Sequence, residues 1–201
     1  MTSSPIRVCI TLGTRPEAIK LAPVIKQFQK TPEFDTKVVL TGQHREMVDQ
    51  VMQLFEIQAD RDLNIMQPKQ TLADITCRSL QVLQTLFAEL DPQIVLVQGD
   101  TTTAFAAALA AFSQKIPVGH VEAGLRTDNI LDPFPEEAIR RLVAQITTLH
   151  FPPTDKSVAN LAASGVSGTV LKTGNTVIDA LQTVASKAPA CSLTVLALDC
   201  P

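Results

Sequence analysis

The sequence predicts an α/β domain of the doubly wound, Rossmann-like kind, with a parallel sheet and helices packed on both faces. Two observations carry this. Short apolar runs rich in Val, Ile and Leu alternate along the chain with longer segments of helical periodicity. Glycine or polar residues then close most of the apolar runs. Strands separated by helix-length segments call for crossover connections, and crossovers make parallel sheets.

The elements follow in order. Arg7–Leu12 is a strand closed by Gly13, and from Glu17 the spacing is helical, with Ile19, Ala22, Val24, Ile25 and Phe28 on one side. Lys37–Leu40 is a second strand, and His44–Phe55 is helical through Met47, Val48, Val51 and Met52. Thr71–Leu90 carries a stripe of Leu72, Ile75, Leu83, Leu86, Phe87 and Leu90, stopped by Asp91-Pro92. Ile94–Val97 is the next strand and the alanine-rich Thr103–Phe112 a good helix former. Pro117–Val121, Leu149–Phe151 and Thr169–Leu171 are extended. Glu136–Ile146, Asp155–Ala163 and Val177–Ser186 are helical. There is no internal repeat and no low-complexity tract.

Composition narrows the function. The 201 residues, 45% of them apolar, suffice for a real core. Seventeen basic against twenty acidic residues give a net charge of −3, which argues against a polybasic nucleic-acid or membrane-surface binder. Trp and Tyr are absent, so base-stacking platforms are disfavoured too. No apolar run approaches the roughly 18 residues of a membrane span, and the first residues lack a signal-peptide core. A soluble, cytoplasmic protein is expected. Cys9, Cys77, Cys191 and Cys200 show no metal-like spacing. Cys9 and Cys77, in apolar stretches, are expected to be inert core thiols.

In open parallel sheets, ligands sit beyond the carboxyl ends of the strands. The unusual polar residues fall there: Gly13-Thr14-Arg15, Gly42-Gln43-His44, Gly99-Asp100-Thr101, Glu122 with Arg126, and Gly174-Asn175. A cleft of glycines, cations and carboxylates is expected on that edge.

Each motif has a functional and a structural reading. In GTRPEAIK, free amides at the helix start with Arg15 and Lys20 would suit a phosphate; otherwise Gly13 makes a turn and both cations are solvated. The chain has neither GxGxxG nor GxxxxGK[ST], which disfavours nicotinamide dinucleotides and P-loop chemistry. In GDTTT, Asp100 is a site carboxylate, or Asp100 or Thr101 is simply a helix cap. Glu122 follows an apolar strand, where a carboxylate needs a partner; Arg126 is the candidate, in a site or in a structural salt bridge. Glu136 and Glu137 open a helix, where the macrodipole alone favours acids. His120 lies within a strand, and His150 reads as a packed surface histidine.

GTRPEAIK, TGQHREM, LNIMQP, VQGDTTT, IPVGHVEAGLRT, FPEEAIRR and TGNTVIDAL, in this order, resemble the non-hydrolysing UDP-N-acetylglucosamine 2-epimerases from about Arg7 to about Lys187. The resemblance implies the N-terminal half of a glycosyltransferase-B-type fold, two Rossmann-like domains with a UDP-sugar between them. It implies interconversion of UDP-N-acetylglucosamine and UDP-N-acetylmannosamine by elimination and re-addition of UDP, without a cofactor or metal, in supply of cell-surface polysaccharide. Asp100, Glu122 and Glu136 take the place of the catalytic carboxylates. Arg15 and Lys20 face the phosphates, with Gly99, Arg126 and Asn175 as further substrate contacts. Gln43 and His44 match an element near a second, regulatory nucleotide-sugar site. Family members are commonly homodimers.

The chain departs from the pattern in two places. Ile139 stands where the family usually has Asn, and the sequence stops at Pro201, a little over half the usual length. Residues 1–187 therefore read as the N-terminal domain. Residues 188–201 read as a divergent tail, like a truncated or frame-shifted end, with the second domain and its catalytic histidine absent. The expected functions are an epimerase needing a separate C-terminal half, a non-catalytic UDP-sugar or partner-binding module, or an inactive fragment.

Overall fold

A computed structural model describes residues 4–42 and 45–187; Gln43, His44 and the 188–201 tail, with Cys191 and Cys200, lie outside the described residues. The order is β1 (Ile6–Leu12), α1 (Arg15–Lys30), β2 (Phe34–Leu40), α2 (Arg45–Leu54), β3 (Arg61–Asp62), α3 (Leu72–Leu90) and β4 (Ile94–Gln98). It continues with α4 (Thr102–Ser113), β5 (Val118–Val121), α5 (Glu136–Ile146), β6 (Leu149–Phe151), α6 (Asp155–Ala163), β7 (Thr169–Val170) and α7 (Thr176–Lys187). The seven strands of the described residues form one parallel sheet in the order β3-β2-β1-β4-β5-β6-β7.

That order follows from the chain's direction. It runs outward from β1 to β3, returns through α3 to pair β4 with β1, and then runs outward the other way. The switch point lies between β1 and β4, where ligands of such sheets bind. Alternate side chains divide the core. Val8, Ile10 and Leu12 of β1 meet Leu21, Ala22 and Ile25 of α1, with α2 and Ala180 of α7 on the same side. Cys9, Val95, Val97 and Val118 face Leu83 and Phe87 of α3, the alanines of α4, and Ile139 and Val143 of α5. The alanine helix α4 is buried along most of its length, which small side chains permit. A smaller cluster joins Leu161 of α6 to Ala123 and Ala144. Among the described residues no helix is long and apolar enough to cross a membrane.

The structure corrects several sequence expectations. Helix α1 starts at Arg15, two residues early, because Pro16 is tolerated in a first turn. Strand β2 begins at Phe34, its polar Asp35 and Thr36 pairing with Arg7 and Val8. Strand β3 has no apolar signature at all: two charged residues pair with Val39 and Leu40 at the sheet edge. Cys77 is exposed rather than in the core. The buried stripe of α3 runs Ile75, Ser79, Leu83, Leu86 and Phe87, and a residue two after Ile75 points to the other side. Leu72, at the start of α3, is exposed as well. His150, expected at the surface, is completely buried on β6.

Candidate active site

At the carboxyl ends of β1, β4 and β5 the structure joins some of the polar residues, in pairings other than those expected. Glu17, in the first turn of α1, is buried among donors. Its Oε2 accepts from the Gly13 and Thr14 amides at 2.8 and 2.7 Å and from the Thr14 hydroxyl at 2.9 Å. Its Oε1 accepts from the Thr101 hydroxyl at 2.7 Å. Burial pushes the Glu17 pKa up against these hydrogen bonds. One carboxylate thus fixes the β1–α1 turn to the β4–α4 turn across the switch point. It also uses the two amides expected to cradle a phosphate, so the free-amide reading of Gly13-Thr14 does not hold. Arg15 remains exposed at the first helical position, with no ion pair among the described residues.

Lys20 and Glu122 form the centre of the site. Lys20 Nζ is 2.5 Å from Glu122 Oε2, and Gln98 Nε2 donates to the same oxygen at 2.6 Å. Asn175 Nδ2 donates to Glu122 Oε1 at 3.3 Å. Residues from α1, β4 and the turn before α7 therefore converge on one carboxylate. Glu122 has φ +64°, a conformation that non-glycine residues adopt at a cost and that is concentrated at functional positions.

Arg126 is not its partner. The guanidinium Nη1 donates to its neighbour's carbonyl, Leu125 O, at 2.8 Å. Nε and Nη2 are buried without a partner among the described residues, and burial lowers the pKa of the group.

Asp100 and Thr101 also separate in role. Thr101 is the cap of α4, its hydroxyl accepting from the Ala104 amide at 3.0 Å. Asp100 is left to accept from Arg140, with Nε at 2.7 Å and Nη2 at 2.6 Å from Oδ2. Gly99, at φ +71°, lets the chain turn from β4 into this position. Of the two acids opening α5, Glu137 is fully buried and accepts from Arg141 Nε at 2.7 Å and the Thr127 amide at 3.1 Å. Burial raises its pKa, but the bonds from Arg141, Thr127 and Arg140 outweigh this and hold it below the usual range. Glu136 is half-buried beside it, with no ion pair among the described residues. Ile139 is buried against the α4 side of the sheet, so it fills core at that position.

Sequence reasoning missed Glu17, Gln98 and Arg140. Signals existed for each. Thr14 and Glu17 have capping-box spacing, Gln98 is the polar end of an apolar strand, and Arg140 lies one helical turn after Glu136. Gln43 and His44 lie outside the described residues. Among those described, no group of His, Cys, Asp and Glu is arranged to hold a metal.

The family profile described as UDP-N-acetylglucosamine 2-epimerase matches residues 26–195. The chain belongs to this family. A UDP-N-acetylglucosamine 2-epimerase of Neisseria meningitidis is 56% identical over 88% of this chain and 48% of its own length. Its Escherichia coli K12 counterpart is 55% identical over 88% and 47%. Among solved structures, the Neisseria meningitidis epimerase bound to UDP-GlcNAc superposes with a TM-score of 0.88 at 54% identity, covering 90% of this chain and 49% of that one. The Methanocaldococcus jannaschii epimerase, in complex with UDP-GlcNAc and UDP, gives 0.84 at 35%, covering 91% and 51%. A lipopolysaccharide outer core galactosyltransferase, at 12% identity and a TM-score of 0.59, shares the fold alone. The chain spans about half the length of the epimerases it matches.

Proposed function

We propose that the chain carries the sugar-side catalytic groups of a UDP-N-acetylglucosamine 2-epimerase, an isomerase acting on UDP-GlcNAc and UDP-ManNAc in the cytoplasm. The observation that carries this reading is the convergence of Lys20, Gln98 and Asn175 on Glu122 past the end of β5, with Asp100, two residues past the end of β4, paired to Arg140. Residues 1–187 act as one domain in this reading.

The chemistry requires such a site. The C2 hydrogen is not beside a carbonyl, so a base alone removes it poorly. Cleavage of the C1–O bond sends that electron pair out with UDP. Loss of the C2 proton to a carboxylate leaves a C1–C2 double bond, a glycal. UDP then adds back at C1 while a proton returns to the other face of C2. Glu122 and Asp100, positioned by Lys20 and Arg140, supply negative charge against the cationic ring of the transition state. Glu136, engaged by no cation among the described residues, is the carboxyl group free to move a proton. Exposed Arg15 is suited to the departing diphosphate. Turnover draws on the uridine contacts and histidine that the family resemblance assigns to the remaining half.

The test follows UDP-GlcNAc by NMR in D2O with the chain alone and with the remaining half of a relative supplied separately. The expected result is broadened ligand resonances with the chain alone, lost in Glu122→Gln, and deuterium at C2 with the manno epimer once the second half is present. Unperturbed ligand together with no exchange in the complemented mixture overturns the reading.

A further inference from the structure

Among the described residues, buried nitrogens of three residues lack hydrogen-bond partners: His120 Nδ1, His150 Nδ1, and Nε and Nη2 of Arg126. His120 and His150 are register partners on β5 and β6, so their rings lie on one face of the sheet. They are 2% and 0% exposed. The charge of Arg126 is close enough to disfavour protonation of either ring.

The donors and acceptors are complementary. His120 Nε2 lies 2.7 Å from the Gly99 carbonyl. A carbonyl only accepts, so the ring carries its proton on Nε2 and presents a lone pair at Nδ1. Arg126 Nε and Nη2 offer only protons. His150 Nε2 faces the Ser167 carbonyl at 3.0 Å in the same way, although the Thr147 carbonyl also lies near that ring. Orphaned donors and acceptors in one buried region are what an internal water satisfies, typically with about three hydrogen bonds.

We infer that a buried water joins the Arg126 guanidinium to His120 Nδ1, with His150 lining its site. Arg126 is then a positioning residue, acting through the water and His120 on the Gly99 carbonyl and the turn that carries Asp100. The network stands whether or not the cleft takes a nucleotide sugar, and its test needs no ligand.

The experiment is 15N NMR of the full chain near neutral pH, correlating ring nitrogens with ring protons and recording water cross-peaks at Arg126 Nε–H. The expected result is His120 protonated on Nε2 only and a protected Arg126 Nε–H in contact with a long-lived water. In His120→Gln, whose amide can still donate to the Gly99 carbonyl, that water cross-peak is lost. In Arg126→Met the Gly99 and Asp100 amide resonances shift, although Arg126 bonds to neither, and Arg126→Lys shifts them less. A proton on His120 Nδ1, or no water contact at Arg126, overturns the inference. Persistence of the contact in a folded His120→Gln does so too. If either variant fails to fold, the tautomer and water contact of the unsubstituted chain decide the question alone.

Discussion

Lys20 Nζ on α1 lies 2.5 Å from Glu122 Oε2 at the end of β5, 102 residues later, with side chains 23% and 11% exposed. The contact ties a helix on one face of the sheet to a turn held in a left-handed conformation. Removing the ammonium leaves a mostly buried carboxylate with Gln98 and Asn175 alone. Lys20→Met should therefore cost about 1–3 kcal/mol of folding stability, and Lys20→Arg should recover part of it. Urea unfolding of the three proteins measures this; an unchanged midpoint in Lys20→Met would mean the pair is neutral.

Glu17 is a stronger case, because all four of its contacts are donors. Glu17→Ala leaves the Gly13 and Thr14 groups without an acceptor in a buried turn and should cost about 3–5 kcal/mol. Glu17→Gln keeps one oxygen for the two amides and turns an amide nitrogen toward Thr101, whose hydroxyl can accept. Its cost should be about 1–2 kcal/mol. Equal losses in the two variants would show that side-chain volume, rather than hydrogen bonding, holds the turn.

These two contacts show what the sequence disclosed and what it did not. The strand-end positions of Lys20, Asp100 and Glu122 follow from alternating periodicity, since each sits just past an apolar run or one turn into the following helix. Their partners do not. Periodicity places a residue on an edge but says nothing of reach across the sheet, so Arg126, four residues from Glu122, looked nearer than Lys20. The strand order β1-β4-β5 reverses that judgement. Cys77 and His150 failed for a related reason, because local apolarity does not say which side of an element faces the core. Strand β3 left no trace, as two charged residues at an edge need no buried face.

Arg140 joins Asp100 to Glu137, with Nε at 2.7 Å from the former and Nη1 at 3.4 Å from the latter. A lysine ammonium is a single point of donors and cannot reproduce the planar fork that puts Nε and Nη2 on Asp100 and Nη1 on Glu137, so the substitution is not conservative here. A double-mutant cycle with Asp100→Asn and Arg140→Met should give a coupling of about 1–3 kcal/mol in unfolding free energy. Arg140→Lys should retain less than half of it. Coupling below about 0.5 kcal/mol would show that Asp100 is positioned by its own backbone.

His120 makes folding depend on pH in a predictable direction. Burial lowers its pKa from 6.5 to about 4, helped by the charges of His150 and Arg126 and opposed by the Gly99 carbonyl and Asp100. Above pH 6.5 the ring is neutral both folded and unfolded, and it contributes no pH dependence. Below that value the unfolded chain binds a proton that the folded chain refuses, so stability falls until the folded pKa near 4 is reached. The loss should be on the order of 2 kcal/mol by about pH 5 and about 3 kcal/mol at the end of the window. His150, also held below its ordinary pKa by burial, adds to the fall with the same sign. Comparing urea unfolding of the unsubstituted chain and His120→Gln between about pH 7.5 and pH 4.5 isolates the contribution, since other titrating groups are common to both. The variant should lose less stability across that range. Parallel curves would mean that the ring takes up its proton in the folded protein as readily as in the unfolded chain.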